Sequence, residues 1–256
     1  MRSLAICRLT LVALTSLLIF SCSDKKEDFV TEPLADYLPM QVGKFITYRL
    51  DSFVFVDFQQ NAETHSYQVK HQVDAKIEDN EGRPAYRIYR YIRNAAGTTD
   101  WTANGSYIVT PLADRVEVVE DNLRFIKLHS PIREGYTWKG NKYLPSDPYD
   151  PFGYNFSNDD DMKNWDFTYD PFSPEFTYSD KSYTDVFSVE QEDDLSNIPV
   201  SDARSYGYKS RSVDRYSKNI GLVFRQYDLY EYQPNLSGPD PYYTGFGITM
   251  WMIDHN

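Results

Sequence analysis

From Gly43 onward the chain alternates between apolar and polar positions. Ile46, Tyr48, Leu50, Val54, Val56 and Phe58 are apolar, and Thr47, Arg49, Asp51 and Asp57 fall between them. The next segment is cleaner. Tyr67, Val69, His71, Val73, Ala75 and Ile77 alternate with Gln68, Lys70, Gln72, Asp74, Lys76 and Glu78. Successive side chains of a strand point to opposite faces, so this period of two predicts one buried face and one wet face. Val69 and Val73 are expected inside, and Lys70 and Asp74 outside. His71 falls on the apolar face, where a hydrogen-bonded core histidine is the expected role. Asn80-Glu81-Gly82 reads as a turn into a third strand at 85–93, which completes a hairpin. Ala95-Ala96-Gly97 turns again, and shorter strands are predicted at 107–109, 115–120 and 123–128. Glu120-Asp121-Asn122 is a tight connection between the last two. Further strands are predicted at 184–191, 205–216, 222–232 and 246–253, with a polar loop through Asn197 and Pro199. No window of the chain from Cys22 on carries a helical stripe. The predicted class is all-β: an antiparallel meander forming an open barrel or a β-sandwich.

Three turn-to-strand approaches look alike. Pro39-Met40-Gln41-Val42-Gly43-Lys44 and Pro131-Ile132-Arg133-Glu134-Gly135-Tyr136 share a proline, an apolar residue, two variable positions and a glycine. Asn219-Ile220-Gly221-Leu222 is a shorter cousin. In each, a glycine able to take positive φ precedes a strand that opens on a bulky residue. Either the chain reuses one local solution or a half-domain has been duplicated.

The stretch 142–181 breaks the pattern. Pro145, Pro148, Pro151, Pro171 and Pro174 each lack an N–H to give to a ladder. Aromatic residues and acids are interleaved among them, so a long irregular aromatic and acidic loop is expected, either packed onto the body or used for binding. Within it, Trp165, Phe167 and Tyr169 recur at every second residue, and an extended piece would put the three rings on one face. Such a row would cover an edge or end of the sheet, or else form a platform for sugar rings.

The N-terminal segment follows different rules. Arg2 and Arg8 precede an apolar run at 9–20, and no acid occurs before Asp24. That run is shorter than the roughly 20 apolar residues needed to span a bilayer. It has the parts of an export signal, with the small residue Ser21 before the cut. Ile19-Phe20-Ser21-Cys22 resembles a bacterial lipoprotein signal, in which the cysteine becomes the first mature residue and carries the lipid. Lys25-Lys26-Glu27-Asp28 is similar to the short acidic signal of Bacteroidetes lipoproteins placed on the outer face of the outer membrane. The expected organisation is a signal peptide at 1–21, lipidated Cys22 and a flexible tether at 22–36, and one antiparallel β domain at 37–256, with 142–181 as an irregular insertion.

The opening at 39–48, the segments 135–141 and 220–224, and the tail at 245–256 ending Ile253-Asp254-His255-Asn256 also resemble a family of Bacteroidetes surface lipoproteins. Ile46 stands where those relatives often place Trp. The family has no assigned activity, so the resemblance implies location and β architecture and no catalytic residues.

Composition narrows the partners. Loss of the signal removes two of the 26 basic side chains and none of the 38 acidic ones, which leaves the mature chain at −14. A nucleic-acid site wants a basic face, so no nucleic-acid partner is expected. Cys7 leaves with the signal and Cys22 takes the lipid, so no cysteine remains for a disulfide, thiolate metal site or nucleophile. Asp159-Asp160-Asp161 offers oxygens to calcium but lacks the alternating ligands and turn glycine of a known loop, so Asp159 and Asp161 are weak metal candidates only. The four histidines are scattered without metal spacing. No nucleophile elbow, phosphate loop or dinucleotide fingerprint is present.

These readings predict a protein anchored in the outer membrane by the Cys22 lipid, without cofactor or catalytic residue. Its expected role is a non-catalytic binding or structural module for a glycan or an envelope protein. A carrier of lipid or another apolar ligand, with a hollow open barrel, is the alternative, and a hydrolase with two convergent carboxylates is a further one. A carrier needs an empty apolar interior; a binding module needs a filled core and exposed rings.

Overall fold

The period-two pattern folds into strands that follow one another around a barrel. The computed structural model describes residues 31–155, 157–159, 161–238 and 240–256. The signal at 1–21 and Cys22 lie outside the described residues. The first strands are β1 (Phe45–Val56), β2 (Asn61–Glu78), β3 (Pro84–Asn94), β4 (Thr102–Pro111), β5 (Arg115–Glu120) and β6 (Leu123–His129). They continue as β7 (Thr137–Trp138), β8 (Phe167–Tyr169), β9 (Ser173–Tyr178), β10 (Lys181–Ser196), β11 (Gly207–Ser217), β12 (Gly221–Gln233) and β13 (Tyr242–His255). Among the described residues every pairing is antiparallel, and each strand pairs with its sequence neighbour except that β8 pairs with β10 and β9 hangs off β10 alone. β13 returns to pair with β1 from Ile46–His255 to Phe53–Gly247. The all-β prediction holds, and its barrel form applies.

The barrel stays open along one seam, between β6 and β7, in the middle of the chain. Single hydrogen bonds bridge it. The Ile126 N–H donates to the Gly140 carbonyl at 2.8 Å, and Trp138 Nε1 donates to the Ile126 carbonyl at 2.9 Å. The Tyr169 hydroxyl accepts from the His129 N–H at 3.0 Å and donates to the His129 carbonyl at 2.8 Å.

The similar approaches are built alike. Gly43 and Gly135 have φ of 93° and 72°, and their N–H groups donate to Val73 and Tyr169 carbonyls, each at 2.8 Å. The following residue donates in each case to the carbonyl three back, both at 3.0 Å. One local device thus opens both β1 and β7.

Several boundaries differ from expectation. Phe58 is 94% exposed at the tip of the β1–β2 hairpin, because Asp57, Phe58 and Gln59 take positive φ and the alternation ends at Val56. The last part of the expected tether, from Thr31 to Asp36, packs on the barrel. A turn of helix, α1 (Leu34–Tyr37), buries Leu34 and Tyr37 in the core, and Glu32 bonds Lys218 at 3.0 Å. The insertion is also less irregular than its prolines suggested. It contains β8, β9 and three 3-10 turns, and Pro174 is tolerated because β9 is paired on one side only.

Candidate functional site

Inward-facing positions of successive strands divide the barrel interior into layers. Val69 and Val73 are buried, as the β2 pattern predicts. In the middle lies a charged layer drawn from β3, β5, β6, β11 and β12. Asp214, 1% exposed, accepts from Arg225 Nε at 2.7 Å and Nη2 at 3.0 Å, and Lys127 Nζ is 3.3 Å away. Arg90 Nη1 donates to Glu120 at 2.5 Å, and Arg225 Nη1 is 3.9 Å from the other Glu120 oxygen. Burial pushes the Asp214 carboxyl up, but Arg225 and Lys127 outweigh it and hold the group well below the usual carboxylate range. Burial pulls Lys127 down, with Asp214 opposing. Charges this far from water persist only when paired.

On one side of this layer is a small chamber of about 70 Å³ bounded by Met40, Ile46, Tyr48, His71 and Leu222. His71 Nδ1 meets the Tyr107 hydroxyl at 3.2 Å, and its ring sits edge-on to Tyr48. Burial, then Arg225 and Arg90, pull its pKa from 6.5 to about 3, so the imidazole is neutral. This is the partnered interior histidine that the pattern of β2 suggested.

On the other side lies a chamber of about 390 Å³, a volume within the range of small-ligand pockets. Ser52 and Val54 of β1, Tyr227 of β12 and Phe246 and Ile248 of β13 form part of its wall. The proline-rich stretch closes over it. Tyr149 and Tyr154 place their ring centroids 5.3 and 5.1 Å from Phe246, and the Tyr149 and Tyr227 hydroxyls are 2.7 Å apart. Arg90, Glu120, Lys127 and Arg225 form the floor. Two buried amides also face it. Asn141 is 2% exposed and Gln191 4%, and among the described residues Asn141 Oδ1, Gln191 Nε2 and Arg90 Nε have no hydrogen-bond partner. The site is therefore an apolar, aromatic-roofed chamber with a polar and charged floor.

The residues singled out from sequence lie elsewhere. Phe167 is fully buried, Tyr169 is 1% exposed and Trp165 8%. The glycan-platform expectation is corrected: Phe167 packs under Gly140 and against Trp138, and Tyr169 clamps the seam, so no open ring row faces solvent. Their alternation was real, but it turned inward. Asp161 lies in an acid-rich cleft with Asp166, Glu190, Glu192 and Asp193. Burial raises Glu190 and Glu192, while Arg211 pairs with Glu190. Among the described residues no group of three or more His, Cys, Asp or Glu is placed to hold a metal, and the side chains of Asp159 and Asp160 lie outside them.

The residues that shape the chamber were not visible in the sequence. Lys127 sits between buried Ile126 and Leu128, and Asp214 beside buried Val213, so hydropathy gave no sign that the charged residue of each set points inward. The interleaved aromatics of 142–181 were the one usable signal.

Fold and site together define an antiparallel up-and-down barrel, hollow at one end and capped by an aromatic loop. No protein-family profile matches this chain, and no curated relative matches it. Solved structures give distant likenesses. An exported protein with a YmcC-like fold from Bacteroides fragilis superposes with a TM-score of 0.37 at 10% identity, over 85% of this chain and 97% of that one. An outer membrane lipoprotein-sorting protein domain from Vibrio parahaemolyticus gives 0.21 at 12% identity, over 84% and 85%. A DUF1329 family protein from Desulfovibrio piger gives 0.19 at 12% identity, over 87% and 88%. At these levels nothing about ligand or activity passes from them to this chain.

Proposed function

We propose that this chain is an envelope barrel, held to the outer membrane by lipid on Cys22, that stores or carries a small, largely apolar ligand without transforming it. The observation that carries the reading is the 390 Å³ chamber under the Tyr149–Tyr154 cap. Of the readings open to the sequence, the carrier needs a hollow interior, whereas the glycan module needs exposed rings. The carboxylates of the charged layer favour a non-catalytic role. Asp214 and Glu120 are both held by arginine, and a carboxylate fixed in an ion pair is a poor proton donor or base. Surface location rests on the Cys22 signal and the acidic stretch behind it.

Uptake of the neutral dye N-phenyl-1-naphthylamine by the purified chain tests the chamber. The wild type should bind the dye with enhanced fluorescence. Ser52→Phe, which places a ring into the chamber, should lower uptake at least tenfold while the protein keeps its fold by circular dichroism. Equal uptake by the folded variant would put the dye elsewhere and remove the carrier reading.

A further inference from the structure

The floor of the large chamber has more donors than acceptors and more positive than negative charge. Its interior cations are Arg90, Lys127 and Arg225, against the carboxylates of Glu120 and Asp214. Asp121, which also touches Arg90, stands at the mouth with its side chain 52% exposed. The pairs are unevenly shared. Asp214 takes two bonds from Arg225, and Glu120 takes one from Arg90. The Lys127 ammonium has three N–H donors, and among the described residues its ion-pair partner is Asp214 alone, at 3.3 Å. Arg90 Nε is buried without an acceptor. The Gln191 amide receives the Ser212 hydroxyl on Oε1 at 2.8 Å, leaving Nε2 unmatched. Turning that amide over would only exchange which of its two polar atoms lacks a partner. Asn141 Oδ1 is the single unmatched acceptor of the set. Buried donors without acceptors are costly, and two of them, Arg90 Nε and Gln191 Nε2, meet Lys127 at one chamber whose other walls are largely apolar and aromatic.

We infer that the occupant is a single-chain amphiphile with an anionic head, its oxygens set against Lys127, Arg90 and Gln191 and its chain among the rings of Tyr149, Tyr154 and Phe246. This rests on the reading of the chamber as a ligand site. The head brings the acceptors that the floor lacks, and it sets a negative charge beside Lys127, whose one carboxylate partner already takes two bonds from Arg225. Asn141 Oδ1 accepts from any hydroxyl the head carries. A cationic head would meet the three cations Arg90, Lys127 and Arg225, and a neutral alcohol would offer Lys127 no charge and fewer acceptors.

Displacement of the same dye from the full mature chain separates these cases, with dodecanoate, dodecanol, dodecyltrimethylammonium and acetate as competitors. Dodecanoate should displace at least tenfold better than dodecanol, dodecyltrimethylammonium should be weaker than either, and acetate should not compete. Lys127→Met and Gln191→Leu should each reduce the advantage of dodecanoate over dodecanol. The wild-type ranking alone decides the matter if either variant folds poorly. Equal displacement by dodecanoate and dodecanol, preference for the cation, or competition by acetate alone would overturn the anionic amphiphile while leaving the chamber as a binding site. Failure of the wild type to take up dye would instead remove the chamber reading itself.

Discussion

His71 shows how one side chain ties the interior to solution conditions. Its ring faces the small chamber near the charged layer, and burial with two nearby arginines takes its pKa from 6.5 to about 3. As pH falls, the unfolded chain therefore takes up this proton before the folded chain does. The folded state is favoured above the unfolded value, and the advantage declines progressively as pH drops from about 6.5 toward 3. The wild type should lose thermal stability between about pH 7 and about pH 5. His71→Gln, which keeps an acceptor for Tyr107, should show a shallower slope across that interval by differential scanning calorimetry. Parallel slopes would mean that His71 is protonated in the folded barrel.

At the level of elements, β2 was readable because one of its faces is wet, so its period of two survives in the composition. β6 and β11 were not. Ile126 and Leu128 are as buried as Lys127, and Val213 lies in a second cluster with Phe224 and Trp251, packed against Phe176 and Tyr178 of β9. When both faces of a strand are covered, hydropathy loses the phase that tells inside from outside. The barrel form was equally hidden, because local alternation is the same in a barrel and a sandwich. The short β7 and β8 depended on a contact no local pattern contains. A Cβ on Gly140 would stand 2.3 Å from the buried Phe167 ring, so glycine is what lets the turn after Trp138 approach and bridge the seam. Gly140→Ala should lower stability by about 1–3 kcal/mol, the usual range for overpacking, read as a lower urea midpoint. An unchanged midpoint would show that Phe167 can move aside and that the seam is looser than its geometry implies.

For the whole molecule, the proposed anchor and the barrel would divide the work. One acyl chain holds a protein to a bilayer only marginally, and stable tethering takes more than one. The triacylated Cys22 proposed here would supply that, and the mature chain's acidic balance of −14 would add no attraction to an anionic surface. Cys22→Ala should release a folded, unlipidated barrel that no longer sediments with outer membranes and takes up no labelled palmitate. The released barrel should bind dye as the anchored one does. Continued sedimentation with normal labelling would place the lipid elsewhere and undo the lipoprotein reading.

The ladder between β1 and β13 joins residues about as far apart in sequence as the domain allows. Contacts so distant are slow to form because a long loop must close before they reward the chain. It follows that β1 waits with a bare edge until β13 has been made. For a chain exported unfolded, as proposed here, this would be a built-in delay. It also marks the nascent β1 edge, an obvious template for wrong pairing, as the place where an escorting chaperone would be needed.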